Sequence, residues 1–401
     1  MERIELEKAL ELVLARVMPI NEIQRIPVSR ALGLVTGEAI YAPLDNPPFD
    51  RSPLDGFTLR SEDTRTASAD CPVRLRIAGA VYAGKPWDRA LMPGEAVRIM
   101  TGGAIPVGGD CVVPKEAVQE EGTAVLLFRP LKHHQNYVFQ GEDIRTGQLL
   151  IPPGERLRFM HLGILATMGM ESVPVMRPPR IGLLCTGDEL SPAGAPLLPG
   201  KIYNSNEVLL GSRLEELGFT PQVLPGMVDV AASVVQEIET RIHEVDILIT
   251  TGAVSVGDKD IMHEVFEVLG AERLFWRMAC KPGSAVLCGV YRGKLLMGLS
   301  GNPFACLTTF ELLVKPVLAK LAWRGDLQPQ RQQGILKNAF PKDSGKQRRF
   351  VRARLEAGFV TLPEGHASGR LFSLLGCNCL VDIPVGSDAL AEGSEVAVVM
   401  L

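Results

Sequence analysis

The sequence predicts a multidomain protein of the α/β plus β class, with one doubly wound α/β domain and two smaller, mainly β domains. From near Arg180 to Gly325, apolar runs of strand length alternate with segments of helical periodicity, as in a parallel sheet covered by helices on both faces. The stretches on either side are rich in Gly and Pro and carry short apolar runs between turn signals. The chain has 401 residues, of which 46% are hydrophobic, so it has the material for several cores.

The N-terminal part of the chain predicts one helix followed by the first β domain. Residues 1–18 repeat apolar side chains at helical spacing, and Pro19 is expected to end that helix. Residues 28–42 fit either a helix or a turn. Between 43 and 143, the runs Val73–Ile77 and Ala124–Phe128 have the length of strands, which indicates a small, mainly β domain.

The α/β domain is predicted element by element. Strands are expected at 181–185, 222–227, 246–250, 274–276, 285–288 and 295–299. Helices are expected at 206–217, around 234–242 and at 304–323. Gly218 should end the first of them, while Asn302 and Pro303 should begin the last as its N-cap and first helical residue. Pro316 is expected to kink that last helix. After Gly325, strands and turns return up to 396–399 and predict the second β domain.

Composition excludes several classes of protein. The net charge of -4 and an isoelectric point near 6.0 give no long-range attraction to nucleic acid or acidic membranes. The eight cysteines form no C-x-x-C pair, which argues against a structural zinc site and predicts reduced thiols. No signal peptide and no membrane-spanning stretch is recognisable, so a cytoplasmic protein is expected. Residues 346–352 form a basic stretch that we interpret as a solvated strand face.

Three loops that follow predicted strands carry groups suited to an anion. They lie at 185–190, 250–260 and 298–303. Their glycines let backbone N–H groups approach a ligand, helix N-termini favour phosphate or oxyanions, and Lys281 is expected to reach the same edge as a point charge. One such loop is as often a plain connection as a functional one, but three in one domain indicate a binding face. None matches the phosphate loop of nucleotide hydrolases or the dinucleotide fingerprint.

Carboxylates near these loops indicate a divalent cation. Asp55 and Asp143 lie in Gly-flanked loops of the first β domain, and four acids lie in or near the α/β loops, namely Glu189, Asp229, Asp258 and Asp260. Oxygen ligands beside a phosphate suit Mg²⁺ held partly by the substrate. Each acid taken alone, Asp188 included, is better explained as a turn or capping residue. The residues themselves predict a domain that handles a phosphate or oxyanion, and they leave the substrate open.

Seven short motifs follow one another along the chain. They are PFDRSPLDGF (48–57), RIMTGG (98–103), GEDI (141–144), TGDEL (186–190), SVG (255–257), KPG (281–283) and GNP (301–303). Their order and spacing resemble those of the molybdopterin molybdenumtransferase family, which includes MoeA and the gephyrin E-domain. The resemblance extends over essentially the whole chain.

The resemblance implies four domains in a homodimer. These are a linking domain (25–42 and 147–177), a mainly β domain (43–146), a molybdopterin-binding α/β domain like that of MoaB and MogA (178–325), on which an N-terminal helix (1–24) packs, and a barrel-like C-terminal β domain (326–401). Members of this family join molybdate to adenylylated molybdopterin with Mg²⁺ and release AMP, so the resemblance implies the same reaction. The active cleft would form between the α/β domain of one subunit and the first β domain of the other. Molybdopterin adenylyltransferase and apo-molybdoenzymes or their chaperones are the implied protein partners, with neither nucleic acid nor membrane.

Site residues are carried over by position. Catalytic roles are implied for Asp55, Asp143, Glu189, Asp229, Asp260 and Lys281, of which Asp55, Asp143, Glu189 and Asp260 would hold Mg²⁺. Cofactor or substrate contacts are implied for Thr101, Thr186, Gly187, Gly252, Ser255, Gly257, Gly301, Asn302, Pro303, Arg352 and Ser368. Asp55, Thr101 and Asp143 would act on the active site of the other subunit. Arg352 and Ser368, with Arg370 as a further candidate, would donate to molybdate. The implied mechanism requires no covalent nucleophile, since cleavage of the adenylate would drive the exchange while the protein supplies position and charge.

Departures from the family pattern keep alternatives open. Ala253 stands where the family usually has Gly, Ser300 where it has Pro, and Arg277 where it has Lys. The family's N-S-A-M-D-G-Y is replaced by RSPLDGF at 51–57, and its paired D-D by Asp229-Val230. A non-catalytic molybdopterin-binding or scaffold paralogue and a tungstate-using insertase are the alternatives. The retained acids favour the enzyme, and the two β domains argue against an adenylyltransferase of the same α/β fold.

Overall fold

The computed structural model describes residues 3–226, 228–255 and 261–401. Its helices are α1 (Leu6–Leu14), α2 (Phe159–Thr167), α3 (Ser205–Glu216), α4 (Ala231–Arg241), α5 (Met262–Leu269), α6 (Pro303–Thr309) and α7 (Lys315–Leu321). The strands of the first half are β1 (Ile23–Pro27), β2 (Ile40–Tyr41), β3 (Gly56–Leu59), β4 (Val73–Val81), β5 (Glu95–Ile99), β6 (Cys111–Pro114), β7 (Val118–Glu121), β8 (Ala124–Leu127), β9 (Leu149–Ile151) and β10 (Ser172–Met176). Those of the second half are β11 (Ile181–Cys185), β12 (Leu190–Ser191), β13 (Ile202–Tyr203), β14 (Gln222–Val223), β15 (Ile247–Thr251), β16 (Glu272–Trp276), β17 (Cys280–Lys281), β18 (Val286–Tyr291), β19 (Lys294–Leu299), β20 (Arg331–Leu336), β21 (Arg348–Glu356), β22 (Phe359–Thr361), β23 (Cys379–Ile383) and β24 (Glu395–Met400).

Two compact units make up the chain. Unit 1 comprises Met1–Gln24, Gly33–Gly37 and Val175–Leu401, and unit 2 comprises Arg25–Leu32 and Glu38–Pro174. Within the described residues, no helix has the length and apolar character needed to cross a bilayer.

Unit 2 is built on one six-stranded sheet with the order β6-β3-β5-β4-β8-β7. Strands β4 and β5 run parallel, and the other neighbours run antiparallel. Phe57, Leu59 and Val125 are fully buried in the core on this sheet. The short strands β2 and β9 form a separate antiparallel pair. The prediction of a small, mainly β domain in this part of the chain is confirmed.

The α/β part of unit 1 contains a six-stranded sheet with the order β14-β11-β15-β19-β18-β16. The first four strands in this order are parallel to one another. Strand β18 runs antiparallel to both of its neighbours, β19 and β16. Side chains alternate between its faces: Leu183 and Ile249 enter a core shared with α1, α3, α6 and α7, while Leu184 and Leu248 enter a core shared with α4 and α5. Helices cover both faces, which confirms the doubly wound α/β prediction.

The C-terminal part of unit 1 is a closed barrel of five strands. Its order is β21-β22-β20-β24-β23, and β23 pairs again with β21 to close the ring. Val351, Val381 and Val398 pack in its interior. Strand β17 adds in parallel to β21, pairing Cys280 with Arg348 and Lys281 with Arg349. This short ladder joins a loop of the α/β domain directly to the barrel.

Two helices differ from the sequence prediction, one at its end and one in its interior. Helix α1 ends at Leu14 and does not continue to Pro19. The predicted last helix is interrupted by a π-helical turn, Phe310–Val314, directly before Lys315 and Pro316. Proline has no N–H to donate to the preceding turn and its ring crowds the carbonyl there, so a widened turn relieves the conflict.

Candidate functional site

The three predicted loops meet at one edge of the α/β sheet. Strands β11, β15 and β19 are direct neighbours and parallel, so the loops after them leave from the same side. The Thr186 N–H donates to the Thr251 carbonyl at 3.0 Å, and the Gly252 N–H donates to the Leu299 carbonyl at 3.1 Å. Thr186 is buried, which makes it part of the frame that holds the loops together.

Gly252 lies at a close approach between these loops. Its φ is +96°, and a methyl group added to its Cα would lie 2.3 Å from the Thr186 carbonyl oxygen. A methyl on Gly301 would lie 3.6 Å from the Gly252 Cα. The Asn206 side chain, which the sequence did not single out, fixes the third loop from α3 by donating to the Gly301 carbonyl at 2.8 Å. Glycine is therefore required at 252 by both conformation and space.

A cavity of about 530 Å³ lies between this loop edge and the C-terminal barrel. From the α/β side it is lined by Ser255, Lys281 and Asn302. Pro303 begins α6, and the Asn302 side chain does not cap that helix. The barrel contributes Ser368, whose carbonyl accepts the Phe304 N–H at 3.1 Å. Residues predicted from separate parts of the sequence thus share one cavity.

Positive charge dominates the lining. Lys281 and Arg349 are register partners on β17 and β21, and the other cations around the cavity are Arg3, Arg277 and Lys342. Among the described residues that line the cavity there is no Asp or Glu. Such a surface attracts anions, and within its described part no carboxylate competes for the cations.

Several buried polar atoms around the cavity have no hydrogen-bond partner within the described chain. They are the Nε of Arg277, the Oγ of Ser284, the Nε2 of Gln347, the Nε of Arg349 and the Nδ1 of His366. Buried donors are normally paired, because an unpaired one costs about 1–3 kcal/mol. Their concentration around one cavity points to a ligand rich in acceptor oxygens.

Arg352 lies behind the wall of the cavity and is fully buried. Its guanidinium stacks on the Phe304 ring at 3.7 Å and donates to the Ala367 carbonyl at 2.7 Å and to the Ser373 Oγ at 2.8 Å. It also donates to the carbonyl of Arg370, the further candidate donor. The structure therefore places Arg352 as a support for the loop that carries Ser368.

The basic stretch 346–352 is not a solvated strand face, so that interpretation was wrong. Arg348 is bound by the carboxylates of Glu7 and Asp382, Arg349 faces the cavity and Arg352 is buried. The stretch crosses from the ladder with β17 into the barrel interior, which a one-dimensional charge pattern does not reveal.

Asp188 of the first loop borders a second cavity, of about 370 Å³, which Gly187 also lines. The Asp188 N–H donates to the Asp229 carboxylate at 3.2 Å, and the Asp229 N–H donates back to the Asp188 carboxylate at 3.0 Å. Glu189 is exposed, and its carboxylate lies over Gly187, 2.9 Å from where a methyl group would be. Neither Glu189 nor Asp229 lines the cation-rich cavity.

Gly257 and Asp260, together with Asp258, lie outside the described residues. Within residues 3–226, 228–255 and 261–401, no group of three or more His, Cys, Asp or Glu side chains is arranged to hold a metal ion. The described cysteines are free thiols, and burial raises the pKa of Cys280 at the cavity to about 12.

Asp55, Thr101 and Asp143 belong to unit 2 and are exposed there. The backbone N–H and the hydroxyl of Thr101 each donate to one Asp55 oxygen at 2.8 Å. These two bonds, helped by the charge of Lys115, hold the pKa of Asp55 below its usual range. Asp143 accepts a hydrogen bond from the Asn46 side chain at 2.8 Å. Thr101 therefore orients the Asp55 carboxylate and keeps it ionised.

The departures from the family pattern have local structural effects. Ala253 adopts a φ of +53° and Arg277 one of +69°, both in the left-handed region that favours glycine. The Ser300 Oγ accepts the Asn302 N–H at 3.3 Å, so it replaces the rigidity of proline with a hydrogen bond. Arg277 lines the cation-rich cavity, where its charge is retained.

Sequence reasoning missed Arg3, Lys342, Gln347, Arg349 and His366 as cavity residues. No motif marks them, and they come from the N-terminus and the barrel. The doublet Arg348-Arg349 within the basic stretch was a signal, but only the pairing with β17 shows which of the two faces the cavity.

Three family models match the chain in order: the MoeA N-terminal region (domain I and II) over residues 4–169, a probable molybdopterin binding domain over residues 182–320, and the MoeA C-terminal region (domain IV) over residues 333–401. A molybdopterin molybdenumtransferase of Staphylococcus aureus is 34% identical over 379 residues, covering 94% of this chain and 90% of that protein. One of Staphylococcus epidermidis is 33% identical over 401 residues, covering 99% and 95%.

Solved structures agree. The crystal structure of a molybdopterin biosynthesis MoeA protein from Pyrococcus horikosii matches 100% of this chain and 99% of its own, with a TM-score of 0.83 and 34% identity. A second, from Pyrococcus horikoshii OT3, covers 100% of both chains with a TM-score of 0.77 and 28% identity. With its α/β domain, five-stranded barrel and motif order matched along the whole length, this chain belongs to the MoeA family.

Proposed function

We propose that the chain is a molybdopterin molybdenumtransferase. It transfers molybdenum from molybdate to adenylylated molybdopterin and releases AMP, as a step of molybdenum cofactor biosynthesis. The observation that carries this proposal is the cavity of about 530 Å³, whose described lining contains five cations and several donors without a partner in the described chain. Molybdate, phosphate and the adenylate are all anions, and the relatives named above carry the same activity in their names.

Charge and preorganised donors suit this cavity to molybdate. A dianion that leaves water loses its solvation, and fixed cations and N–H groups must replace it. Lys281 and Arg349 supply two charges from adjacent strands, and Ser368 and Gln347 supply donors. No Asp or Glu among the described lining residues has to release these groups before they bind the substrate, so this part of the cavity is ready for the anion.

Magnesium is proposed as an ion that the substrate brings with its phosphates. The acids assigned to it, Asp55, Asp143 and Glu189, offer the oxygen ligands that Mg²⁺ prefers, but they form no three-ligand cluster within the described chain. Mg²⁺ bound to phosphate would neutralise charge on the phosphoanhydride, and carboxylates such as that of Asp55 would orient it. The assignment of Asp260 remains part of this proposal.

The assembly and domain limits implied by the family belong to the same proposal. A homodimer in the cytoplasm would place Asp55, Thr101 and Asp143 of one subunit at the α/β loops of the other. We keep the domain limits that the family implies. They are 25–42 with 147–177 for the linking domain, 43–146 for the first β domain, 178–325 for the α/β domain, to which the helix at 1–24 is joined, and 326–401 for the C-terminal β domain. Adenylyltransferase and apo-molybdoenzymes are the protein partners to test.

The activity is tested by mixing the purified protein with adenylylated molybdopterin, molybdate and Mg²⁺ and measuring AMP and molybdenum-loaded cofactor. We expect both products to appear together. Lys281→Ala and Arg349→Ala each remove a charged donor worth about 1.5–3 kcal/mol, so the Kd for molybdate should rise roughly 10- to 100-fold.

Arg273→Ala is the matched control, because Arg273 is an exposed cation of the same domain and does not line the cavity. Pterin binding without AMP release would contradict the enzyme and favour the scaffold alternative. Tungstate in place of molybdate, at equal concentration, measures the metal preference.

A further inference from the structure

His366 is the histidine of the cation-rich cavity. It lies in the loop between β22 and β23, and its ring packs edge-on against Phe340 with ring centres 5.3 Å apart. The following residues fix this loop: the Ala367 carbonyl accepts from buried Arg352 at 2.7 Å, and the Ser368 carbonyl accepts from the Phe304 N–H at 3.1 Å. The imidazole is therefore held on a supported wall of the cavity.

Neither ring nitrogen of His366 has a hydrogen-bond partner among the described residues. Nδ1 is buried without one, and Nε2 is the nitrogen that remains accessible. Because His366 lines the cavity, Nε2 is free to exchange a proton with a ligand there. Imidazole is the side chain that titrates nearest neutrality, whereas burial raises the pKa of the Cys280 thiol of the same lining, so that thiol keeps its proton at pH 7.

The groups that face His366 are cationic or neutral. Arg352 lies behind it and Lys342 beside it, while Lys281 and Arg349 line the same cavity, in which no described carboxylate takes part. Burial, followed by the charges of Arg352 and Lys342, lowers the pKa of His366. Without an anion the ring is neutral. A bound dianion has the opposite effect, because negative charge close to Nε2 favours the imidazolium.

Molybdenum insertion needs protons at this place. Each time a thiol of molybdopterin forms a molybdenum–sulfur bond, a molybdenum–oxygen bond breaks, and the departing oxygen requires two protons to leave as water. One proton comes from the thiol itself. The second must come from another donor near the oxyanion, and no oxidation or reduction takes place.

We propose that His366 is a catalytic proton donor, which gives the proton on Nε2 to the oxygen that leaves molybdenum. The step balances: molybdate, one thiol and one imidazolium give a thiolate-bound trioxo anion, water and neutral imidazole. This inference rests on the proposed function. It also requires that the cavity takes up a proton when it binds molybdate, which is measurable without turnover.

The first test is molybdate binding alone, followed by calorimetry near pH 7.5 in two buffers with different ionisation enthalpies. The wild-type protein should take up between half and one proton per molybdate. His366→Gln, which is polar and similar in size, should take up none, and its Kd for molybdate should rise about two- to tenfold at this pH because proton uptake no longer contributes to binding. His243→Gln is the matched control, since the His243 side chain is 73% exposed and lies outside the cavity. Equal proton uptake by His366→Gln and wild type would overturn the proposal.

The second test is the single-turnover rate of AMP release as a function of pH at saturating molybdate. The wild-type rate should fall as pH rises and the imidazolium is lost. His366→Gln should be at least about a hundredfold slower, within the usual range for loss of a general acid, and should lack this decline. If the wild-type protein shows no turnover, the proposed function is wrong. The proton uptake measured by calorimetry then still decides whether His366 is the group that becomes protonated when molybdate binds. A His366→Gln variant with the wild-type pH profile sinks this inference alone.

Discussion

Replacing Gly252 by alanine should destabilise the α/β domain by about 3 kcal/mol. The backbone there has a φ of +96°, which a residue with a Cβ adopts at a cost of about 1 kcal/mol or more. The new methyl would also lie 2.3 Å from the Thr186 carbonyl oxygen, a main-chain atom that has no rotamer to move away. Such overpacking adds roughly 1–3 kcal/mol.

Gly270→Ala is the matched control for this prediction. Gly270 ends α5 with a φ of +64°, and nothing lies within 4 Å of the added methyl, so only the conformational cost of about 1 kcal/mol applies. Urea unfolding is followed by the fluorescence of Trp276, whose indole donates to the Val254 carbonyl at 3.1 Å. Equal costs at 252 and 270 would refute the argument that the loops meet at Gly252.

Three further changes test individual side-chain interactions within the two units. Arg352→Met leaves the Ala367 carbonyl without its buried donor and removes the stacked cation, so urea unfolding should show a loss of about 3 kcal/mol; a loss below about 1 kcal/mol would contradict the supporting role. Burial disfavours the ionised form of Asp246, but hydrogen bonds from Arg177 and Arg180 outweigh burial and hold the pKa of Asp246 below its usual range. The ionised carboxylate therefore stabilises the fold above the ordinary carboxyl pKa, and this stabilisation is lost as pH falls through the folded-state pKa. Asp246→Asn should therefore be less stable than wild type at pH 7, with the gap closing toward pH 2, and a gap independent of pH in urea titrations would count against this. Thr101→Val keeps the N–H but removes the hydroxyl donor, so carboxyl NMR should show the pKa of Asp55 rising toward its ordinary value, and no rise would contradict the assigned bond.

The meeting of the α/β loops was predictable because it follows from chain geometry. Parallel neighbouring strands end on the same edge of a sheet, so β11, β15 and β19 had to bring their loops together once the alternation of strand and helix was recognised. Lys281 and Asn302 then follow by their position in the sequence. The sequence indicated that the backbone approaches another group closely at Gly252. It did not indicate that this group is the carbonyl oxygen of Thr186.

The barrel side of the site depends on long-range pairing. Nothing local distinguishes Arg349, which lines the cavity, from Arg352, which is buried three residues later, because both belong to one basic stretch. The pairing of β17 with β21 places Arg349 beside Lys281 at the cavity, whereas Arg352 lies in the buried part of the same strand. His366 lies in a loop without a motif, and only the supporting bonds from Arg352 and α6 bring it to the cavity. Gly257 and Asp260 stay predictions.

The two-residue ladder between β17 and β21 has a consequence for selectivity. Lys281 and Arg349 sit on opposite members of that ladder, with the Arg348 N–H donating to the Ala279 carbonyl at 3.2 Å. The α/β wall and the barrel wall therefore cannot separate there without breaking main-chain bonds, and the gap between them keeps one width. A receptor of constant width discriminates among tetrahedral dianions by bond length, so sulfate, which is abundant and smaller than molybdate, contacts fewer of the donors at once. Competition by sulfate should be weak for that reason alone.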